Sequence, residues 1–142
     1  ARLMVRAGFA GFYFGLESNT ASWQSSTGGK VNSSEFAAAV DCLREAGARS
    51  ITTYIIVGHP DLDSRDVELS VDFAHQCGTR VLLSEFSPIP GTVDGEKSQS
   101  WADLREPLSH NKTAFALRRL GMDHVNALKA LTHFLNSQLA SA

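Results

Sequence analysis

The chain repeats one unit three times: a helix-like run that ends at a glycine, a short β-rich run, and a polar or proline-containing stop. The copies read LMVRAGFAGFYFGLES, CLREAGARSITTYIIVGHPD and FAHQCGTRVLLSEFSPIPGT, and their helices close at Gly8, Gly47 and Gly78. Alternating helices and strands are typical of a parallel sheet, either doubly wound or closed into a βα barrel. In both architectures the chemistry lies at the carboxyl ends of the strands.

Three strands are predicted, over residues 9–16, 50–57 and 79–86. The first is aromatic and apolar without clean alternation, and the second is rich in β-branched and aromatic residues. Between them, Asn32 is a good helix N-cap with Glu35 three residues later, and Asp63 or Ser64 can cap the next helix.

The segments 18–32 and 91–100 are small and polar, and both are predicted as loops. Two C-terminal helices follow, over residues 112–120 and 123–139. The predicted fold class is therefore α/β, a partial (β/α) barrel with three parallel strands, flanking helices and C-terminal helices.

Composition excludes several classes of protein. A length of 142 residues suffices for one domain with a real core, and a net charge of −2 does not suggest a nucleic-acid surface. No apolar run approaches the roughly 18 residues of a membrane span, so no membrane partner is expected and a cytoplasmic location is the default. Cys42 and Cys77 fall in predicted helices, where cysteines are usually small core residues.

The predicted sheet is small for a complete protein. Three parallel strands would leave two open edges, which is unusual, and the chain starts in the middle of a helix. We therefore expect it to be a piece of a larger barrel, with further residues before Ala1.

Candidate functional residues follow the predicted strands. Glu17 and Ser18 come directly after the first strand, where a carboxylate can accept two hydrogen bonds from a ribose diol or can be a solvated loop residue. Gly58 lets a flat ligand approach the backbone, or is a plain turn glycine. His59 is a candidate general base, although such a histidine is more often a loop residue.

No metal site is predicted. Asp61 and Asp63 can bind a cation, but one Asp-x-Asp lacks the rest of a calcium loop, and helix capping explains these residues better. The histidines show no metal-ligand spacing.

Three strand ends together resemble the radical S-adenosylmethionine (radical SAM) superfamily. FGLES at 14–18 resembles the end of its fourth strand, YIIVGHP at 54–60 its fifth, and FSPIPGT at 86–92 its sixth, all in the family's order. The last motif is most like the branch that often carries an upstream cobalamin-binding domain, so cobalamin is a further candidate cofactor. The resemblance makes residues 1–92 the C-terminal half of the barrel and residues 93–142 a loop and helical extension.

The resemblance implies an enzyme that binds S-adenosylmethionine beside a [4Fe-4S] cluster and generates a 5′-deoxyadenosyl radical. It assigns Glu17 and Ser18 to the ribose, Ile56 and Gly58 to the adenine face, and Phe86 and Ser87 to the adenine edge. The C-x-x-x-C-x-x-C cluster motif does not occur in the chain. It would belong to the missing N-terminal half of the barrel, which is the expected partner.

Two alternatives stay open. One is an unrelated βα-barrel enzyme, although no predicted strand carries the lysine that a Schiff-base enzyme needs. The other is a non-catalytic α/β scaffold or interaction module. The substrate has no readable signature in the sequence.

Overall fold

The computed structural model describes residues 1–28 and 31–139. Its elements, in chain order, are α1 (Arg2–Arg6), β1 (Gly11–Glu17), α2 (Ala21–Ser26), α3 (Ser33–Glu45), β2 (Ser50–Val57), α4 (Ser64–Gln76), β3 (Arg80–Glu85), α5 (Val93–Lys97), α6 (Lys112–Leu120) and α7 (Met122–Leu139). Two 3₁₀ turns, Ser98–Ser100 and Pro107–His110, connect α5 to α6. None of the described helices is long and apolar enough to cross a membrane.

The strands form one parallel sheet in the order β1-β2-β3. A helix lies between each pair of consecutive strands, which is the connection that parallel neighbours require. The predicted α/β class, with three parallel strands, flanking helices and C-terminal helices, is confirmed. Strand β2 has the predicted bounds, and six of its eight residues are β-branched.

One face of the sheet carries the hydrophobic core. Strand side chains of this face pack against apolar side chains of α3, α4 and α7, and the cluster includes Phe12, Leu16, Ile51, Ile55, Val57, Val81, Phe36, Val40, Val67, Val71 and Leu128. Each fully buried side chain of this size contributes about 1.5–3 kcal/mol by leaving water. Because Leu128 belongs to this cluster, α7 shares the core of the three repeated units. The division of the chain at residue 92 stays a prediction.

The opposite face of the sheet is largely open. Tyr13 is 70% exposed and Tyr54 is 38% exposed, and their rings stack with centroids 6.3 Å apart. In a complete barrel this face would be the interior. An open aromatic face is therefore consistent with a barrel of which the chain forms a part.

Both predicted helix caps are present. The Asn32 side chain accepts a hydrogen bond from the backbone N–H of Glu35. Asp63 and Asp66 form a reciprocal capping box at the start of α4. Each such cap satisfies donors that would otherwise lack a partner in the first turn.

The two predicted loops were wrong in part. Segment 18–32, of which residues 29 and 30 lie outside the described residues, contains α2, and segment 91–100 contains α5. Helix α2 is anchored by Trp23, which is only 8% exposed. Helix α5 begins at Thr92, whose hydroxyl accepts a hydrogen bond from the Gly95 N–H. Both helices are short and mostly polar, so tertiary contacts rather than periodicity decide their structure.

The outer edge of β3 is sealed by a side chain of α7. Asn136 donates to the Val81 carbonyl oxygen (2.8 Å) and accepts from the Val81 N–H (2.9 Å). The amide thus reproduces the two hydrogen bonds that a neighbouring strand would make. This contact satisfies backbone groups that an edge strand otherwise leaves unpaired.

We expect Asn136→Ala to lower the free energy of unfolding by about 1–3 kcal/mol, because the Val81 N–H and C=O would lose their partner. Urea unfolding followed by circular dichroism measures the change. Gln138→Ala, at an exposed position of the same helix, is the matched control and should stay within about 0.5 kcal/mol of wild type. Equal effects of the two substitutions would show that the edge contact does not contribute.

Candidate functional site

Glu17 ends β1 in a strained conformation. Its φ is +62°, the only positive φ among the described residues other than glycine, and the β1–β2 register shifts between Gly15 and Glu17. A non-glycine residue in this region costs about 1–3 kcal/mol and is enriched at functional sites. The Glu17 side chain is exposed and lines a cavity of about 290 Å³ that Gly15 and Trp23 also line. The carboxylate is therefore available to a ligand.

Ile56 lies beside Glu17 in the sheet. Glu17 pairs with Ile55, the residue before Ile56, and Ile56 pairs with Ser84 on β3. Ile56 is half-buried and alternates with Tyr54 along β2, so it belongs to the open face. Of the six predicted site residues, Glu17 and Ile56 keep side chains that no internal hydrogen bond or ring contact occupies within the described part of the chain.

Ser18 has internal partners instead. It is 1% exposed, its hydroxyl lies 3.3 Å from the Ser70 hydroxyl on α4, and it donates to Thr20 Oγ1 (3.1 Å). These contacts fasten the end of β1 to α4. The predicted ribose contact stays a prediction, and it would require this hydroxyl to change partners.

Gly58 is explained by helix packing. It follows β2 with φ +87°, and a Cβ at this position would lie 2.9 Å from Cα of Ala116 on α6. The missing side chain lets α6 pack directly on the end of β2. The predicted adenine contact stays a prediction, since the glycine is already required by its protein neighbour.

Phe86 and Ser87 also contact the C-terminal part of the chain. The Phe86 ring lies between those of His59 (4.6 Å) and Phe115 (5.7 Å), and the Ser87 hydroxyl donates to the carbonyl oxygen of His110. Both residues therefore attach the end of β3 to the segment around α6. Their predicted position at the adenine edge is untested.

His59 is a buried polar residue at these strand ends, and it has partners on several sides. It is 2% exposed, and its ring packs edge-on against Trp23 with centroids 4.3 Å apart. Its Nδ1 accepts the backbone N–H of Asp61 (3.1 Å), so the proton of the neutral ring is on Nε2, which lies 3.4 Å from the Asp94 carboxylate. Sequence reasoning missed Asp94 because α5 was predicted as a loop.

The pKa of His59 is lowered from its ordinary value near 6.5. Burial is the largest cause, and the Asp94 carboxylate opposes it by attraction and hydrogen bonding. A neutral ring at neutral pH can donate or accept one proton, which is compatible with a positioning role or with proton transfer.

A charged cluster surrounds His59 at the strand end. Lys97 bonds the Asp61 carboxylate and lies 3.7 Å from Asp94. Its pKa is raised, first by the hydrogen bond to Asp61. One ligand atom each from His59, Asp61 and Asp94 lies within 4.8 Å of the others, a donor set that a cation could use. Lys97 already supplies a positive charge beside these carboxylates, and the absence of a metal site stays a prediction.

The two cysteines lie away from the strand ends that carry this site. Cys42 is in the last turns of α3 and Cys77 follows α4, so both lie toward the amino ends of the strands. Cys42 is exposed, contrary to the expectation of a core residue, whereas Cys77 is half-buried against the core. Three thiolates at one site are needed to hold a [4Fe-4S] cluster in the family's manner, and this chain does not provide them.

Comparison with solved structures finds a similar architecture among known proteins. The chain superposes on coproporphyrinogen III oxidase (HemN) from Escherichia coli, described as a radical SAM enzyme, with a TM-score of 0.60 and 16% identity. The chain shares the fold of a radical SAM enzyme. The match covers 89% of this chain and 28% of HemN, so the chain spans little more than a quarter of that protein. No family model and no curated protein sequence matches the chain.

We expect Gly58→Ala to destabilise the protein more than Gly91→Ala. Both glycines have positive φ, so each substitution carries about 1–2 kcal/mol of backbone strain. Only at Gly58 does the new Cβ meet a neighbour, Ala116, and overpacking adds about 1–3 kcal/mol. Thermal and urea unfolding measure both. Equal losses in the two variants would refute the packing explanation.

We expect stability to fall between pH 7.5 and pH 5. Because the folded-state pKa of His59 is lowered, the unfolded chain binds the proton first, so this contribution is full above about pH 6.5 and is lost as the pH falls through the folded pKa. Asp94→Asn removes the group that raises this pKa and should steepen the loss. Asp103→Asn, in a remote exposed pair with Arg105, should not. Urea unfolding at the two pH values gives the slopes, and equal slopes for both variants would contradict the assignment.

Proposed function

We propose that the chain is the C-terminal half of a radical SAM barrel and contributes to the binding of S-adenosylmethionine. Its likeness in fold to a radical SAM enzyme supports this, together with the order of the GLES, GHP and SPIPGT motifs at successive strand ends. The observation that carries the proposal is Glu17, an exposed carboxylate held at positive φ at the carboxyl end of β1. Strain of this kind persists only where the surrounding structure enforces it, and strained residues cluster at functional sites.

Glu17 and Ile56 are the two proposed contacts that would give up no internal hydrogen bond or ring contact of the described residues. The Glu17 carboxylate can accept both hydrogen bonds of a ribose diol, and Ile56 offers an apolar surface one strand away. The other four proposed contacts would reach the cofactor only through atoms that their internal contacts leave exposed: Ser18, Gly58, Phe86 and Ser87. In the family, S-adenosylmethionine supplies the radical that abstracts hydrogen from the substrate.

The cluster does not fit this chain. Cys42 and Cys77 lie toward the amino ends of the strands, away from the proposed cofactor site, so neither residue would ligate the cluster. The cluster ligands would come from the other half of the barrel, and the cobalamin-associated branch and the cytoplasmic location stay predictions.

A non-catalytic scaffold is the second candidate. Four of the six predicted site residues are engaged in internal contacts, and this observation favours a fold kept for its packing. The two candidates differ in one measurable property, the binding of S-adenosylmethionine by the full-length protein.

We expect Glu17→Gln to weaken S-adenosylmethionine binding by about ten- to a hundredfold, because a hydrogen bond to a charged group is worth about 1.5–3 kcal/mol. Calorimetry on the full-length protein, reconstituted with iron and sulfide without oxygen, measures the affinity. Glu45→Gln, exposed at the opposite edge of the sheet, is the control. Glu17→Gly should bind weakly and yet be about 1 kcal/mol more stable, because it removes the strain at φ +62°.

The outcomes separate the two candidates. Unchanged binding in Glu17→Gln would remove Glu17 from the site. A full-length protein that takes up no cluster and binds no S-adenosylmethionine would favour the scaffold.

A further inference from the structure

We propose that a cavity at the amino-terminal ends of the strands binds the phosphate group of a small molecule. The cavity has a volume of about 520 Å³ and lies between the starts of β2 and β3 and the last turns of α7. Arg49, Arg80 and His133 contribute to its walls. Glu17 and His59 lie at the other ends of the strands, the carboxyl ends, so the inference does not depend on the proposed function.

The charge of this cavity is one-sided. Its lining contains two arginines and a histidine but neither aspartate nor glutamate. Within residues 1–28 and 31–139, neither arginine has a carboxylate partner within 4.0 Å. The chain as a whole carries a net charge of −2, so a generally basic composition does not explain this concentration of positive charge.

A third arginine approaches the same cavity. The guanidinium of Arg44 packs directly on Gly78, one of the lining residues, in space that a side chain at Gly78 would occupy. Arg44 also lacks an ion pair among the described residues. A phosphate would supply the negative charge that these three guanidinium groups lack among the described residues.

Rigid backbone positions two of these arginines. The Arg49 N–H donates to the Ala10 carbonyl oxygen (3.1 Å) just before β2, and Arg80 opens β3 in register with Thr52. Both side chains therefore start from adjacent strands of one sheet. Guanidinium groups present paired donors that match phosphate oxygens, and their planar geometry means that less side-chain freedom is lost for each hydrogen bond formed.

A competing structural role exists for the same residues. The cavity includes Ser137 and Leu139 in the last turn of α7, where the helix carries a partial negative charge. Arginines can stabilise such a helix end without binding a ligand. The two roles differ because only the first gives saturable binding of phosphate, whereas the second gives only a loss of stability on substitution.

The test titrates inorganic phosphate and pyrophosphate into the full-length protein at low ionic strength, by calorimetry and by NMR shifts of the Gly78 and Arg80 amides. We expect saturable binding that weakens with salt. The double variant Arg49→Gln/Arg80→Gln should bind at least about tenfold more weakly, since each removes a charge-assisted contact. Arg65→Gln, which loses only the local pair with Glu68, should bind as wild type.

A second variant protects the test from a folding defect. Arg44→Gln leaves Arg49, Arg80 and the backbone at Gly78 in place, and it should weaken phosphate binding severalfold because it removes the guanidinium that packs on Gly78. Absence of saturable phosphate binding, or equal affinity in the double variant and wild type, would overturn the proposal. The protein should not co-sediment with vesicles of phosphatidic acid. Co-sedimentation without binding of soluble phosphate would also overturn the proposal. S-adenosylmethionine binding should be unchanged in every variant.

Discussion

The central strand β2 must be covered by helices on its apolar face and paired with a strand on each side, and the positions of the other elements follow from this requirement. Ile51, Ile55 and Val57 leave water only because helices cover them, and the backbone of β2 is paired only because β1 and β3 flank it in parallel. Parallel pairing requires crossover helices, so the same constraint produces α3 and α4. It also brings the carboxyl ends of three strands together at one edge, where βα folds generally carry their chemistry.

The end of β2 organises that edge. Gly58 admits α6, and His59 holds the ring of Trp23 on one side and that of Phe86 on the other. Segments from before β2, after β3 and near the C-terminus thus meet at two consecutive residues. Contacts that distant in sequence make the edge rigid, and a rigid edge can present Glu17 in a conformation that an isolated strand would not hold.

The sequence predicts what periodicity and turn chemistry encode. The bounds of β2 and the cap at Asp63 follow from local residues, and both were confirmed. Helix α2 was not predicted, because its buried Trp23 makes contacts that no local pattern reveals. Helix α5 was not predicted because the local cap at Thr92 starts only five helical residues, too few to show a periodicity. The partners of His59 were missed for the same reason. Likewise, Ser18 and Gly58 match a ligand-binding motif in the sequence. In the structure the Ser18 hydroxyl contacts that of Ser70, and Gly58 packs against Ala116.

The side-chain amide of Asn136 determines at which edge of the sheet further strands can pair. Because this side chain imitates a neighbouring strand at Val81, an additional strand cannot pair there without first displacing α7. The edge of β1 has no such cover among the residues that the structure describes. Any further strands, whether from the same polypeptide or from a designed fusion, would therefore have to join at β1, and assembly of a larger barrel around this chain would proceed from that side alone.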